Sequence, residues 1–266
     1  EDITLRALRI LGEASLVAAE DTRNTRKLLS HYRIGTPLTS YHDHNKLSKL
    51  AAVQKALEQG DVALVSDAGT PGVNDPGAEL VAAATAAGHE VVPIPGPSAV
   101  TTALSVAGTP LDQFVYLGFL PRRSAARLKL LVSLVDERRS LVTFESPHRF
   151  VDTLTDIHKT LGDRHIVVCR ELTKLHEEIF RGSVTDALDH FAEPRGEFTL
   201  IIEGASPVSK PDQSAVEEAR AILREESSMG RSAKDAMAVA SITGLSKNDL
   251  YRLWLDISRS GSRSSS

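Results

Sequence analysis

Gly60-Asp-Val-Ala-Leu-Val-Ser-Asp-Ala-Gly-Thr-Pro-Gly-Val-Asn-Asp-Pro-Gly77 changes character halfway along. Val62 to Ser66 is a short apolar run that reads as a strand. Asp67 to Gly77 then gathers three Gly and two Pro with two Asp, a Thr and an Asn. Ordering so much glycine is entropically costly, which points to a main chain that must approach something closely. In open α/β sheets ligands bind at the carboxyl ends of strands, and this loop leaves such an end. A plain strand-to-helix turn is the competing reading of the same residues.

The flanks extend the α/β pattern. Leu47 to Gln59 is an amphipathic helix with Gly60 as the expected C-cap residue. Pro76 to Ala87 is an alanine-rich helix ended by Gly88, and Glu90 to Ile94 is expected to be a strand completing a β-α-β crossover. Pro95-Gly-Pro-Ser98-Ala99 opens a helix of small residues, with Ser98 as its expected N-cap. Upstream, Ile3 to Leu11 is helical and Leu16 to Ala19 is a buried strand that stops at Glu20-Asp21-Thr-Arg23. Thr25 to His31 is helical, Pro37 to Tyr41 is a weak strand, and His42-Asp-His44-Asn45-Lys46 reads as a polar loop rather than a zinc site, for want of further ligands at a metal-binding spacing.

Beyond Gly108-Thr-Pro110 the pattern restarts, so an N-terminal α/β domain over residues 1–110 and a second over 111–204 are expected. Strands are expected at Phe114–Leu117, Leu141–Glu145, Ile166–Cys169 and Gly196–Gly204, and a helix at Val184–Phe191. Arg122, Arg123, Arg127, Lys129, Arg138 and Arg139 make the most basic region of the chain, either a polyanion footprint or the wet face of a helix. Ser146-Pro147 reads as a cap and first helical position, leaving His148 and Arg149 in an exposed, anion-ready first turn. Residues 205–214 read as a linker, 215–257 as a helical unit, and 258–266 as a disordered tail.

A chain of 266 residues with 41% hydrophobic residues, 25% charged residues and a net charge of -4 is an ordinary globular composition, which excludes a globally basic nucleic-acid binder. Its one cysteine, Cys169, cannot form an internal disulfide and reads as a core residue in a reducing cytoplasm. No apolar run approaches the roughly 20 residues of a membrane-spanning helix, so no membrane partner is expected. The phosphate-loop, dinucleotide-fold and nucleophile-elbow patterns all fail. What remains is a crevice lined by Asp67, backbone amides and small residues, suited to a polar ligand with an adenosine or amino-acid part.

Taken together, Ala19-Glu-Asp-Thr-Arg23, Ser66-Asp-Ala-Gly-Thr-Pro-Gly72, Pro95-Gly-Pro-Ser-Ala99, Phe144-Glu-Ser-Pro-His-Arg149, Arg170-Glu-Leu-Thr-Lys174 and Gly196-Glu-Phe-Thr-Leu200 resemble the small-subunit ribosomal RNA (cytidine-2′-O)-methyltransferases, a branch of the tetrapyrrole methylase superfamily. The resemblance runs in order from Glu1 to about Ile257. It implies two α/β domains with a cleft between them, S-adenosyl-L-methionine as methyl donor, small-subunit ribosomal RNA as substrate and a homodimer. By motif position, Asp67, Ala68, Gly69, Thr70, Ser98 and Ala99 would hold the cofactor from the first domain, and Phe144, Leu172, Phe198 and Thr199 would close over it from the second. The family also places a strand and a Thr-Pro-Ile-Gly-Asn-Leu loop ahead of the position of Glu1, so part of the cofactor border is expected to precede it. Lys46 stands where the family often has an acid.

Methyl transfer to a ribose 2′-oxygen is an in-line displacement, so alignment comes first and a proton acceptor helps a weak nucleophile. Asp21 is the first candidate for that acceptor, against a plain role as helix cap or partner of Arg23. Lys174 is the second, on condition that burial lowers its pKa. Arg23, His44, Asn45, Arg122, Arg123, His148 and Arg149 are the candidates for contacting RNA. Two other functions fit the same motifs: methylation of a tetrapyrrole, and a non-catalytic RNA-binding assembly factor.

Overall fold

The computed structural model describes residues 1–43, 45–109, 112–206, 213–229, 231–245, 250–251 and 253–257. The chain forms two compact units, Glu1–Gly204 and Ala205–Ser266.

The first unit begins with α1 (Leu5–Glu13), capped by the Thr4 hydroxyl, which accepts from the Ala7 amide at 3.1 Å. Then come β1 (Leu16–Ala19), α2 (Thr22–His31), β2 (Leu38–Ser40), α3 (Lys46–Leu57), β3 (Val62–Val65), α4 (Ala78–Ala86) and α5 (Ala99–Val106). The three strands form a parallel sheet in the order β2-β1-β3. β1 lies at its centre, and Val17, Ala18 and Ala19 are fully buried, which is why this strand is apolar throughout rather than alternating.

Two expectations for this half are corrected. Glu90 to Ile94 joins no ladder among the described residues, and Val91 and Val92 are exposed. A strand exists only through its partner, and Pro93 lacks an amide to donate, so the crossover is not completed. Gly60 is not the helix cap either. α3 ends at Leu57 and is capped by Glu58 in ordinary helical geometry, while a Cβ on Gly60 would meet Ser15 at 3.2 Å, so that glycine answers to close approach instead.

A second sheet of five strands is built from β4 (Phe114–Phe119), β5 (Ser140–Glu145), β6 (His165–Arg170), β7 (Glu178–Ser183) and β8 (Phe198–Ile202) in the order β4-β5-β8-β6-β7. β4 and β5 are parallel and the other pairs antiparallel. α6 (Ser124–Ser133), α7 (Phe150–Leu161) and α8 (Val184–His190) accompany it. One face buries Leu141, Ile166, Val168, Leu200 and Ile202 with Leu131, Phe150, Leu154 and Ile157. The other buries Val142, Val167, Cys169 and Ile201 against Ala103 and the C-cap Ala107 of α5, a helix contributed by the first half of the chain. Full burial of one such aliphatic or aromatic side chain stabilises by roughly 1.5–3 kcal/mol.

The second unit contains α9 (Gln213–Ser228) and α10 (Ala233–Ala240), the latter capped by Ser232 and followed by a 3-10 turn at Ser241–Thr243. Ala219, Leu223, Ala236, Ala240 and Leu250 form its core. Within the helical unit expected at 215–257, residues 230, 246–249 and 252 lie outside the described residues, as do most of the expected linker and all of the expected tail.

Candidate functional site

β1 and β3 are neighbouring parallel strands, so the residues that leave their carboxyl ends are brought together. The Glu20 amide donates to the Val65 carbonyl at 3.0 Å, and the Asp67 amide donates to the Glu20 carboxylate at 3.1 Å. Asn24 on α2 donates its side-chain amide to Asp67 at 3.2 Å. Asp67, Ala68, Gly69 and Thr70 are exposed here, and the loop turns through left-handed backbone at Gly69, Gly72 and Asn74. Ser98 and Ala99 stand half-buried at the head of α5; the Ser98 hydroxyl makes no cap bond, which corrects the expected cap.

The loop reaches the second sheet. The Asn74 side chain lies against Gly118 in β4, where the β4–β5 register shifts between Tyr116 and Gly118. Phe144 of β5 is edge-on to both Tyr116 and Phe119, each with ring centroids 5.6 Å away. Thr199 is registered opposite Phe144, and Leu172 packs with the α5-facing cluster. Phe198 does not join them. Its ring lies 4.2 Å from that of Phe150, tilted by 36°, in the cluster on the opposite face. Successive strand residues point to opposite faces, so Phe198 and Thr199 cannot both offer side chains to one ligand.

Neither proposed proton acceptor is well suited to the role. Asp21 caps α2 by accepting from the Arg23 amide at 2.8 Å and pairs with the Arg23 guanidinium at 2.6 Å. The hydrogen bonds from the Arg23 side chain and backbone pull its pKa down from 3.8 to about 2, far from that of an effective base. Burial pushes the Lys174 ammonium down, but its hydrogen bonds to Glu197 and Glu171 outweigh burial and raise it. The condition set for Lys174, a lowered pKa, is therefore not met. Its ammonium joins Glu171 at 2.9 Å to Glu197 at 2.8 Å.

The basic residues divide in two. Arg122, Arg123 and His148 are exposed, and Arg23 is largely so. Arg149 instead pairs at 2.5 Å with Glu145, whose side chain is fully buried, and also donates to the Leu120 carbonyl. Arg127 is buried and paired with Asp156 at 2.6 Å, so it leaves the expected basic surface, while Arg139 pairs with Glu137. The turn at Pro147–Arg149 is 3-10, and Ser146 makes no side-chain cap bond, so the expected anion-ready helical turn is not formed. Asn45 is occupied locally, accepting from the His42 amide and donating to Ser40. His44 lies outside the described residues.

One residue escaped sequence reasoning. Asp75, in the middle of the loop, is half-buried, and its pKa is pushed up from 3.8 to about 6 by burial first and then by the negative charge of Glu20, with smaller contributions from Asp67 and Asp43.

A loop at the carboxyl ends of parallel strands, set against a second mixed sheet, is the arrangement of a tetrapyrrole methylase, and residues 1–188 match the family of Tetrapyrrole (Corrin/Porphyrin) Methylases. Among solved structures the fold is similar to that of the methyltransferase CobJ, with a TM-score of 0.60 at 21% identity over 76% of this chain and 88% of that one. It is also similar to uroporphyrin-III C-methyl transferase from Thermus thermophilus, complexed with S-adenyl homocysteine, with a TM-score of 0.54 at 18% identity over 76% and 91%. In sequence the chain is 45% identical to ribosomal RNA small subunit methyltransferase I of Synechocystis over 98% of this chain and 95% of that one. It is 43% identical to the protein of the same name from Escherichia coli O157:H7 over 96% and 90%. The chain belongs to the ribosomal RNA small subunit methyltransferase I family, within the tetrapyrrole methylases.

Proposed function

We propose that this protein transfers a methyl group from S-adenosyl-L-methionine to the 2′-oxygen of a cytidine ribose in small-subunit ribosomal RNA. The observation that carries the reading is its identity of more than 40% with ribosomal RNA methyltransferases over nearly the whole chain. Relatives of that similarity outweigh the corrin enzymes, which share the fold at about 20% identity.

The residues present suit the donor. The exposed main chain of Asp67 to Thr70 and the Asp67 carboxylate offer polar contacts, Ser98 and Ala99 a small-residue edge, and Phe144, Leu172 and Thr199 an opposing face. The Tyr116 hydroxyl is buried beside that face with no hydrogen-bond partner among the described residues. When bound, the donor supplies an electrophilic methyl on a sulfonium. The protein aligns the ribose oxygen with it and excludes water. Residues 1–110 and 111–204 would form the two walls. Arg23, Arg122, Arg123 and His148 would hold RNA phosphates, and a homodimer in the cytoplasm would be the working form.

Protein incubated with methyl-labelled S-adenosyl-L-methionine and small ribosomal subunits should place label in the ribosomal RNA, recovered as 2′-O-methylcytidine. Label on a base, on protein alone or nowhere would overturn the reading. Asp67→Ala should weaken donor binding in calorimetry, and light scattering should give twice 28.7 kDa.

A further inference from the structure

Three aromatic rings stand together at the carboxyl ends of β4 and β5, and a shift in register puts the outermost of them there. Tyr116 is registered opposite Val142, but Gly118 rather than Leu117 lies opposite Thr143, so Phe119 comes opposite Phe144. In an unbroken ladder Gly118 would face Phe144, and Phe119 would face the buried Glu145. Paired residues share a face of the sheet, and successive residues alternate between faces. The extra residue in β4 therefore takes Phe119 off the face of the larger core, where Leu120 is buried in its stead, and turns it to the face of Tyr116, Val142 and Phe144. Re-aiming one side chain in this way is a common use of an irregular register beside an active site.

Phe119 is 53% exposed. A lone apolar side chain in solvent is ordinary, but this one has a built setting. Its ring meets that of Phe144 on the proposed donor wall, with centroids 5.6 Å apart and planes at 61°. The main chain is fixed on either side of it. The buried Thr143 hydroxyl donates to the Gly118 carbonyl at 2.6 Å, and Arg149, itself anchored on the buried Glu145 carboxylate, donates to the Leu120 carbonyl at 3.1 Å. Exposed Arg122 and Arg123 come next in the chain after Pro121. A fixed aromatic ring held in solvent at the rim of a cleft, with cations following it, suits an unstacked nucleotide: the ring replaces the neighbours its base has lost, and the cations meet its phosphates.

Accepting the methyl-transfer reading above, we propose that Phe119 is the stacking platform for the cytosine of the target nucleotide, holding the base at the rim so that its ribose enters the cleft beside Phe144. Stacking on one ring fixes where the base lies without reading its edge, so Phe119 serves alignment of the ribose oxygen with the donor methyl.

The test compares Phe119→Ala with the wild type in single-turnover methylation of small ribosomal subunits at saturating S-adenosyl-L-methionine. The ratio of maximal rate to half-saturating subunit concentration should fall roughly 10-fold to 100-fold, the range for loss of one base–aromatic stack, with unchanged donor affinity in calorimetry. Phe119→Tyr and Phe119→Trp should keep most of the activity, whereas Phe119→Leu, apolar but without a π face, should fall with Phe119→Ala. A stack carries no charge, so the affinity of Phe119→Ala for subunits should keep the wild-type slope against salt concentration, while Arg123→Ala flattens it. The mass by light scattering should match that of the wild type. An unchanged ratio in Phe119→Ala, a Phe119→Leu as active as Phe119→Tyr, an altered salt slope, weaker donor binding, or a change in mass that makes this face a contact between copies would each overturn the stack while leaving the methylation reading standing. A wild-type protein that labels no ribosomal RNA would overturn both.

Discussion

The side-chain amide of Asn74 occupies the space that a side chain on Gly118 would need: a Cβ there would come within 2.5 Å of Nδ2 and 2.7 Å of Oδ1. Both residues have left-handed backbones, φ 63° and 61°. The Gly118 carbonyl is held in turn by the Thr143 hydroxyl, which donates to it at 2.6 Å. One contact therefore keys the loop of the first sheet to the bulged strand of the second.

Gly118→Ala should disturb that joint. The left-handed backbone alone costs about 1–2 kcal/mol for a residue with a Cβ, and displacement of Asn74 adds to it. Asn74→Ala introduced alongside should recover the collision but not the backbone cost. Denaturant midpoints of the two single variants and the double variant measure the coupling, and strict additivity would contradict it.

Arg149 and Arg122 should part company. Arg149→Ala leaves the buried Glu145 carboxylate without its cation, and breaking a buried pair in this way costs about 3–5 kcal/mol. Arg122→Ala and Arg123→Ala remove exposed charge and should leave stability within about 0.5 kcal/mol. Both should weaken RNA binding and flatten its salt dependence, read by titration at several salt concentrations.

Lys174→Met should loosen a loop rather than remove a base. Glu171 and Thr173, on either side of Leu172, have left-handed backbones, and Lys174 ties Glu171 to Glu197. A Cβ on Gly196 would fall 2.5 Å from the Glu171 side chain. Lys174→Met and Gly196→Ala should therefore both weaken donor binding by calorimetry. Single-turnover rates at saturating donor should stay near wild type for Lys174→Met, whereas a large loss there would restore Lys174 as a chemical participant.

Acid should release two surface clasps together. Arg23 holds the Asp21 carboxyl down from 3.8 to about 2, and Arg139 holds Glu137 down from 4.5 to about 2, each chiefly through a side-chain hydrogen bond. Such depressed groups stabilise the folded state fully above their ordinary values, and the contribution is lost as pH falls through about 2. Carboxyl-carbon NMR should follow both titrations, and Arg23→Ala should return Asp21 towards its ordinary value without moving Glu137.

The apolar runs of β1, β3, β5, β6 and β8 were legible because buried strands need continuous or alternating apolar residues. β7 was not recognised: Glu178-Ile-Phe-Arg-Gly-Ser183 is an edge strand with no clean alternation in burial. The strand-end loop stood out through its own glycines and prolines, whereas the environment of Asp75 did not. Burial first, and then the charges of Glu20, Asp67 and Asp43, raise its pKa, and only the parallel strand order brings those carboxylates near. Arg127 misled for a similar reason, since on a helix it looks like wet-face charge and its partner Asp156 lies 29 residues away. The separation of Phe198 from Thr199 was available from strand alternation alone.

The position of β8 bears on how the protein is made. It is the last strand of the second sheet to leave the ribosome, yet it lies at the sheet's centre, paired to β5 along Leu141–Glu145 and to β6 along Ile166–Arg170. Until residues 198–202 emerge, the β4–β5 and β6–β7 pairs have no strand between them. The β5 and β6 edges then wait as unpaired templates for another chain. A nascent chain stalled before Phe198 should therefore depend on chaperones and resist folding, whatever the length already synthesised.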